Sequence, residues 1–256
     1  MKNSYQYGIG RARSLEAHLL TSQQIERMAG AEGFEAAFTV LTETPYAETL
    51  PKLKQAFDFE ELYQLEMIAL EKLLLNLSLN NPVMVAIFEK REYATNPFAV
   101  DQHYFANLQK VCAVSQSPLI QNFVKHKIDA INLKSLLRSR DKEELKAAFI
   151  TGGLLDLELI TALFGKGLEE IASRLSFSPY FPAIKTTSPH LFERQLDDFI
   201  LNQFKRAKYL ASGLEPLVGF YLAKELELKT IRFILICKKN HVKNKEIGER
   251  VRFSYA

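Results

Sequence analysis

Between Phe57 and Leu79 apolar residues stand, among other positions, at 57, 59, 62, 65, 68, 69, 70, 73, 74, 75, 77 and 79. That spacing makes a broad helical face and not the alternation of a strand. Ile120, Phe123, Val124, Ile128, Ile131, Leu133, Leu136 and Leu137 make a second face with three-to-four spacing, and Phe192, Leu196, Phe199, Ile200 and Phe204 a third. The stretches Leu53 to Asn81, Leu119 to Thr151 and Leu191 to Ser212 hold neither Gly nor Pro. A strand-rich chain needs a turn signal every ~8–12 residues, so these gaps point to long helices. Thr21 with Gln24, and Asp141 with Glu144, each have the spacing of a capping box, where side chains satisfy the free N–H groups of a helix start. Only Arg232 to Cys237 has a strand-like composition. It follows a charged helical segment without a turn residue, which predicts buried helix. The chain reads as all-α.

Two pairs of segments match within the chain. Leu41-Thr42-Glu43-Thr44-Pro45-Tyr46 corresponds to Leu175-Ser176-Phe177-Ser178-Pro179-Tyr180 at an offset of 134, and Gly33-Phe34-Glu35 to Gly167-Leu168-Glu169 at the same offset. Leu65-Glu66 and Leu196-Asp197 follow at an offset of 131. At an offset of 98, Asp129-x-x-Asn132-Leu133-Lys134-x-Leu136-Leu137 lines up with Glu227-x-x-Thr230-Ile231-Arg232-x-Ile234-Leu235. The acid and the polar residue three later share a helix face, while the base at the fifth position turns away. Duplication is the reading, with an N-terminal helical lobe over 1–118 and a C-terminal one over 119–256.

Composition narrows the class. The 256 residues are 47% hydrophobic and 25% charged, ordinary for a globular protein. Cys112 and Cys237, the two cysteines, are too few for a disulfide framework or a cysteine zinc site. The start, Met-Lys-Asn-Ser-Tyr-Gln-Tyr, lacks the apolar stretch of a secretory signal. The longest uncharged run, Leu73 to Phe88, is interrupted by Asn76, Asn80, Asn81 and Pro82, and falls short of the ~20 apolar residues that a bilayer requires. A soluble, cytoplasmic protein is expected.

Chemistry is scarce. His18, His103, His126, His190 and His241 show no metal-ligand spacing, and Gly8-x-Gly10 has no third glycine and no preceding strand. Asp197-Asp198 stands without a second aspartate-rich motif, and Glu60-Glu61, Glu143-Glu144 and Glu169-Glu170 fall on amphipathic helices beside bases. No catalytic residue, metal or cofactor site is predicted. Charge is more telling. Lys224 to Arg252 holds nine bases and four acids, a local +5 against +3 for the whole chain, which leaves −2 elsewhere. A basic end suits an acidic protein surface or anionic headgroups. Nucleic acid is disfavoured, because aromatics for base stacking are not interleaved with these bases. Lys238, Lys239, Lys243 and Lys245 are the candidate partner-binding residues.

Further motifs stand in a fixed order: Tyr7-Gly8-x-Gly10-Arg11-Ala12-Arg13-x-Leu15-Glu16 with Leu19-Leu20, then Leu41-Thr42-x-Thr44-Pro45-Tyr46. Ile128-Asp129-x-x-Asn132-Leu133-Lys134-x-Leu136-Leu137-Arg138 follows, and then Glu215-Pro216-Leu217 through Leu222, Lys224-Glu225, Glu227, Ile231-Arg232 and Ile234-Leu235 to Arg250-Val251-Arg252. In this order they resemble the motifs of the central-stalk C subunit of A/V-type rotary ATPases, whose eukaryotic counterpart is the d subunit. The resemblance implies helical repeats about a pseudo-threefold axis, forming a funnel that sits on the membrane proteolipid ring and receives the foot of the central shaft. It implies torque transmission in proton or sodium transport, at the cytoplasmic face of the membrane, with no active site. The family carries the acid-x-x-Asn-Leu element twice before its terminal Glu form. Here it occurs once, at Asp129, and Asn81 to Gln116 reads as irregular, so a funnel or wedge with one repeat reduced or absent is expected. Two other readings stand beside this one: a helical adaptor or scaffold unconnected to an ATPase, and a helical enzyme built around Asp197-Asp198 and His126.

Overall fold

A computed structural model describes residues 5–89, 97–180 and 188–251, and among them every regular element is helical. The chain divides into two compact units, one made of residues 1–80 and 205–256, the other of 81–204. The expected lobe boundary near residue 118 falls inside the second unit. A linear cut of the sequence cannot anticipate a unit built from both ends of the chain.

The first unit opens with α1 (Gln6–Glu16), α2 (Ser22–Gly30) and α3 (Phe34–Thr39). Single 3-10 turns follow at Val40–Glu43, Pro45–Glu48 and Leu50–Lys52, then the long α4 (Phe59–Leu77). The Thr21–Gln24 box forms as expected, with both reciprocal bonds present. Asp58 caps α4 by accepting from the Glu61 N–H at 2.9 Å. Gly8 lets α1 approach closely, since a Cβ there would lie 2.5 Å from the Leu77 carbonyl oxygen.

In the second unit come α5 (Pro82–Ile87), α6 (Pro97–Ala113), α7 (Pro118–Arg138), α8 (Lys142–Ala148), α9 (Leu157–Ala162), α10 (Leu168–Arg174) and α11 (Pro189–Phe204). Helix α7 is its centre, packed on α6, α8, α9 and α11. The expected irregularity of Asn81 to Gln116 is corrected here, because α5 and α6 occupy most of that stretch. What resembles a break at Asn81-Pro82 is a helix start. Asn81 caps by accepting from the Val83 N–H at 2.9 Å, and Pro82 sits in the first turn, where its missing N–H costs nothing. Buried Tyr104, Phe105, Leu108 and Cys112 then supply the helical stripe of α6. The box at Asp141 is half formed. Asp141 accepts from the Glu144 N–H, but the Glu144 carboxylate reaches one residue further back, to the Arg140 N–H and guanidinium.

The chain then returns to the first unit through a 3-10 turn, Lys205–Tyr209, then α12 (Glu215–Lys239) and α13 (Asn244–Arg250). Helix α12 lies against α1, α2, α3 and α4. The Arg232–Cys237 stretch is indeed helix, its inner face buried, with Ile234 and Leu235 fully buried among Leu20, Met28, Leu41, Tyr46 and Leu62, while Arg232 is exposed. No described helix is long and apolar enough to cross a membrane. Residues 1–4 and Arg252 lie outside the described residues.

Candidate partner-binding surface and paired tyrosine–carboxylate contacts

The segments that match in sequence meet in space, once in each unit. In the first, the Thr44 hydroxyl donates to the Leu41 carbonyl at 2.6 Å and accepts from the Tyr46 N–H at 3.3 Å, shaping a tight turn. That turn points the buried Tyr46 ring at α12, where its hydroxyl donates to Glu227 Oε1 at 2.6 Å. The Leu20 N–H donates to the other carboxylate oxygen. Lys224, one turn before Glu227, donates to Glu227 Oε1 at 3.1 Å and to the Tyr46 hydroxyl at 2.9 Å, with its ammonium 4.1 Å from the ring centroid.

In the second unit Ser178 repeats the role of Thr44, donating to the Leu175 carbonyl at 2.7 Å and accepting from the Tyr180 N–H at 3.3 Å. The buried Tyr180 donates to Asp129 Oδ2 on α7 at 2.6 Å. The Leu154 and Leu155 N–H groups complete the carboxylate shell at 2.8 and 3.1 Å. Gly153 is required for that wrap, since a Cβ there would collide with Asp129 Oδ1. Asn132, one turn on, ties α7 to Ile150 through both its amide groups, at 2.8 and 2.9 Å.

The electrostatics of the two sites differ. Glu227 has an ammonium against it. Asp129 is met by a hydroxyl and two backbone N–H groups, and burial pushes its carboxyl above the ordinary range, with the bonds from Tyr180, Leu154 and Leu155 working the other way. Burial, with the adjacent carboxylate, drives both tyrosine hydroxyls upward, so they stay protonated donors. His126 stacks edge-on against Tyr180 and Phe199, its Nδ1 2.9 Å from Gln203 Oε1, and burial lowers its pKa.

Neither contact could be assembled from the sequence motifs alone, because the tyrosine turns and the acidic helices match at different offsets. One signal was readable. Leu19-Leu20-Thr21 and Leu154-Leu155-Asp156 share the pattern of two leucines before a helix cap, and both supply N–H groups to the carboxylate. Lys224 was missed as a partner of Glu227, although the two are three residues apart on one helix.

The enzyme candidates are engaged elsewhere. Asp197 accepts from the Lys134 ammonium at 2.6 Å, Asp198 pairs with Arg194, and His126 is held as described. The base at the fifth position thus turns outward to a neighbouring helix, as expected, and its counterpart Arg232 does the same with Glu60 at 2.8 Å. Among the described residues no group of three His, Cys, Asp or Glu side chains is placed to hold a metal ion.

The four candidate partner-binding lysines lie near the end of α12 and the start of α13. Lys239, Lys243 and Lys245 are exposed. Lys238 is buried, its ammonium donating to the Ala31 carbonyl and, at 2.6 Å, to Asn244 Oδ1. Residues 97–250 match the family model described as ATP synthase (C/AC39) subunit. The chain belongs to this family. It is 30% identical over 166 residues to the C subunit of the A-type ATP synthase of Methanocaldococcus jannaschii, a match covering 58% of this chain and 42% of that protein. A match at 23% identity to the corresponding protein of Methanosphaera stadtmanae covers 63% of this chain and 47% of the relative. A shorter match, 36% over 63 residues, is to the C subunit of the V-type sodium ATPase of Enterococcus hirae, covering 25% of this chain and 19% of that one. The chain thus spans less than half the length of the curated relatives it matches.

Proposed function

We propose that this chain is a non-catalytic rotor component of an A/V-type ATPase or ATP synthase, coupling the central shaft to the membrane proteolipid ring. The carrying observation is the family match over residues 97–250. Torque transmission needs a body that resists shear, and the paired contacts suit that need. Each ties a turn, a loop and a long helix together through one buried carboxylate, in both compact units. A duplicated helical unit accounts for the pairing. The two match offsets, 134 and 98, differ by 36 residues, the length of 81–116, where α5 and α6 stand without a counterpart before α12. The chain works as a peripheral part at the cytoplasmic face of the membrane, with the exposed bases Lys239, Lys243 and Lys245 among its partner contacts.

A tagged copy drawn gently in detergent from native membranes tests this. Shaft, catalytic and proteolipid subunits are expected with it in fixed ratio. Recovery of the protein alone, or with unrelated proteins, overturns the rotor role in favour of a helical adaptor.

A further inference from the structure

Where the two units agree, packing explains the agreement; where they differ, something else is needed. In the second unit the turn after α7 is of mixed sign and largely paired within itself, with Asp141 capping α8, Glu144 bound to Arg140, and Lys142 and Glu143 beside them. The matching turn after α12 is basic. Lys239, Lys243 and Lys245 crowd it beside His241, and Lys243, at the N-cap of α13, makes no side-chain cap.

This turn borders a cleft of about 340 Å³ between the end of α12 and the α2–α3 connection. Its floor is built. The buried Lys238 bridges the Ala31 carbonyl and Asn244 Oδ1, and Asn244 Nδ2 donates to the Gly30 carbonyl at 3.0 Å. Two of the three ammonium donors are so used, and Lys238 still borders the cleft. Phe34 and Val242 are the apolar walls, the Lys239 ammonium and the His241 imidazole the exposed rim, and Glu32 the one acid among the lining residues.

We propose that this cleft receives a carboxylate-bearing segment of an acidic protein partner. The carboxylate lies against Lys239 and His241, and an apolar side chain lies between Phe34 and Val242. The proposal deepens the partner role given above to this end of the chain and rests on that reading for its biological setting. A headgroup layer meets a protein on its outermost surface, whereas here the apolar groups sit inside a recess bounded by charge, the arrangement that a peptide fills. Lys238 acts as the support of the floor and Lys239 as the contact.

The test is a titration of the full chain with a blocked, dye-labelled Glu-Leu-Glu-Leu-Glu peptide, followed by fluorescence anisotropy at about 50 mM salt. Saturable binding is expected. It should weaken by about five-fold in a K239Q/H241Q variant, which removes one exposed charge and one exposed imidazole contact, and hold in a K72Q/K146Q control that removes two exposed charges on α4 and α8, outside the cleft lining. A Glu-Gly-Glu-Gly-Glu peptide should bind more weakly than the leucine form. No saturable binding, or equal loss in both variants, overturns the cleft. So does binding of phosphatidylglycerol vesicles in its place, with the peptide inert. Circular dichroism confirms that all variants fold, the substituted residues being exposed. Membrane pull-down reads the rotor role separately: ring and shaft recovered without peptide binding sinks the cleft alone, and peptide binding without them sinks the rotor role alone.

Discussion

Tyr180 and Tyr46 do the same job for carboxylates with different support. A hydrogen bond to a buried charged group contributes about 1.5–3 kcal/mol. Tyr180→Phe and Tyr46→Phe are therefore both expected to destabilise by that order. Tyr180→Phe should cost more, because among the described residues no lysine stands against Asp129 as Lys224 does against Glu227. Hydrogen exchange at the Leu154 and Leu155 amides, against that at Leu20, reads the two contacts separately. Asp129 also sets a pH dependence. Its carboxyl is raised in the folded state, so the folded chain holds that proton to higher pH than the unfolded chain does. The stabilisation is complete below the ordinary carboxylate pKa of ~3.9 and is lost as pH rises through the raised folded value. Relative to Asp129→Asn, the natural chain should lose stability between about pH 4 and pH 7, and urea titrations at the two pH values check the sign.

At the level of elements, α12 carries the first unit. It enters with Pro216 in the first turn and no side-chain cap, so its stability comes from packing more than from its ends. Leu235, fully buried against the α2–α4 segment, makes the point testable. Leu235→Ala is expected to cost about 2–5 kcal/mol. Amide protection should fall in α2, α3 and α4 while α7 keeps its own. These long helices were legible because their apolar stripes run without interruption, as Phe123 through Leu136 does. Helices α5 and α6 were not, since Asn81-Pro82 signals a stop and a start with the same residues. The candidate site was half legible. Charge count located the basic end, but burial of Lys238 depends on Ala31 and Asn244 arriving from opposite ends of the chain or beyond a turn, which no local pattern announces.

For the whole molecule, the central fact is that the first unit is assembled from residues 1–80 and 205–256 while the second is continuous. Removal of 205–256 should leave the two halves of the chain with different fates. Limited proteolysis is expected to degrade residues 1–80 quickly, with their apolar face stripped of α12, and to spare a fragment within 81–204. Equal resistance of both regions would show that the N-terminal helices are held by something other than α12.

The same arrangement fixes an order of events at the ribosome. Leu41, Leu62, Ile25 and Met28 leave the exit tunnel long before Leu228, Ile231, Ile234 and Leu235, which cover them. At a synthesis rate of ~5–20 residues per second, the intervening 81–204 alone imposes a delay on the order of ten seconds. During that interval the nascent N-terminal helices present a greasy surface whose covering helix, α12, has yet to be made.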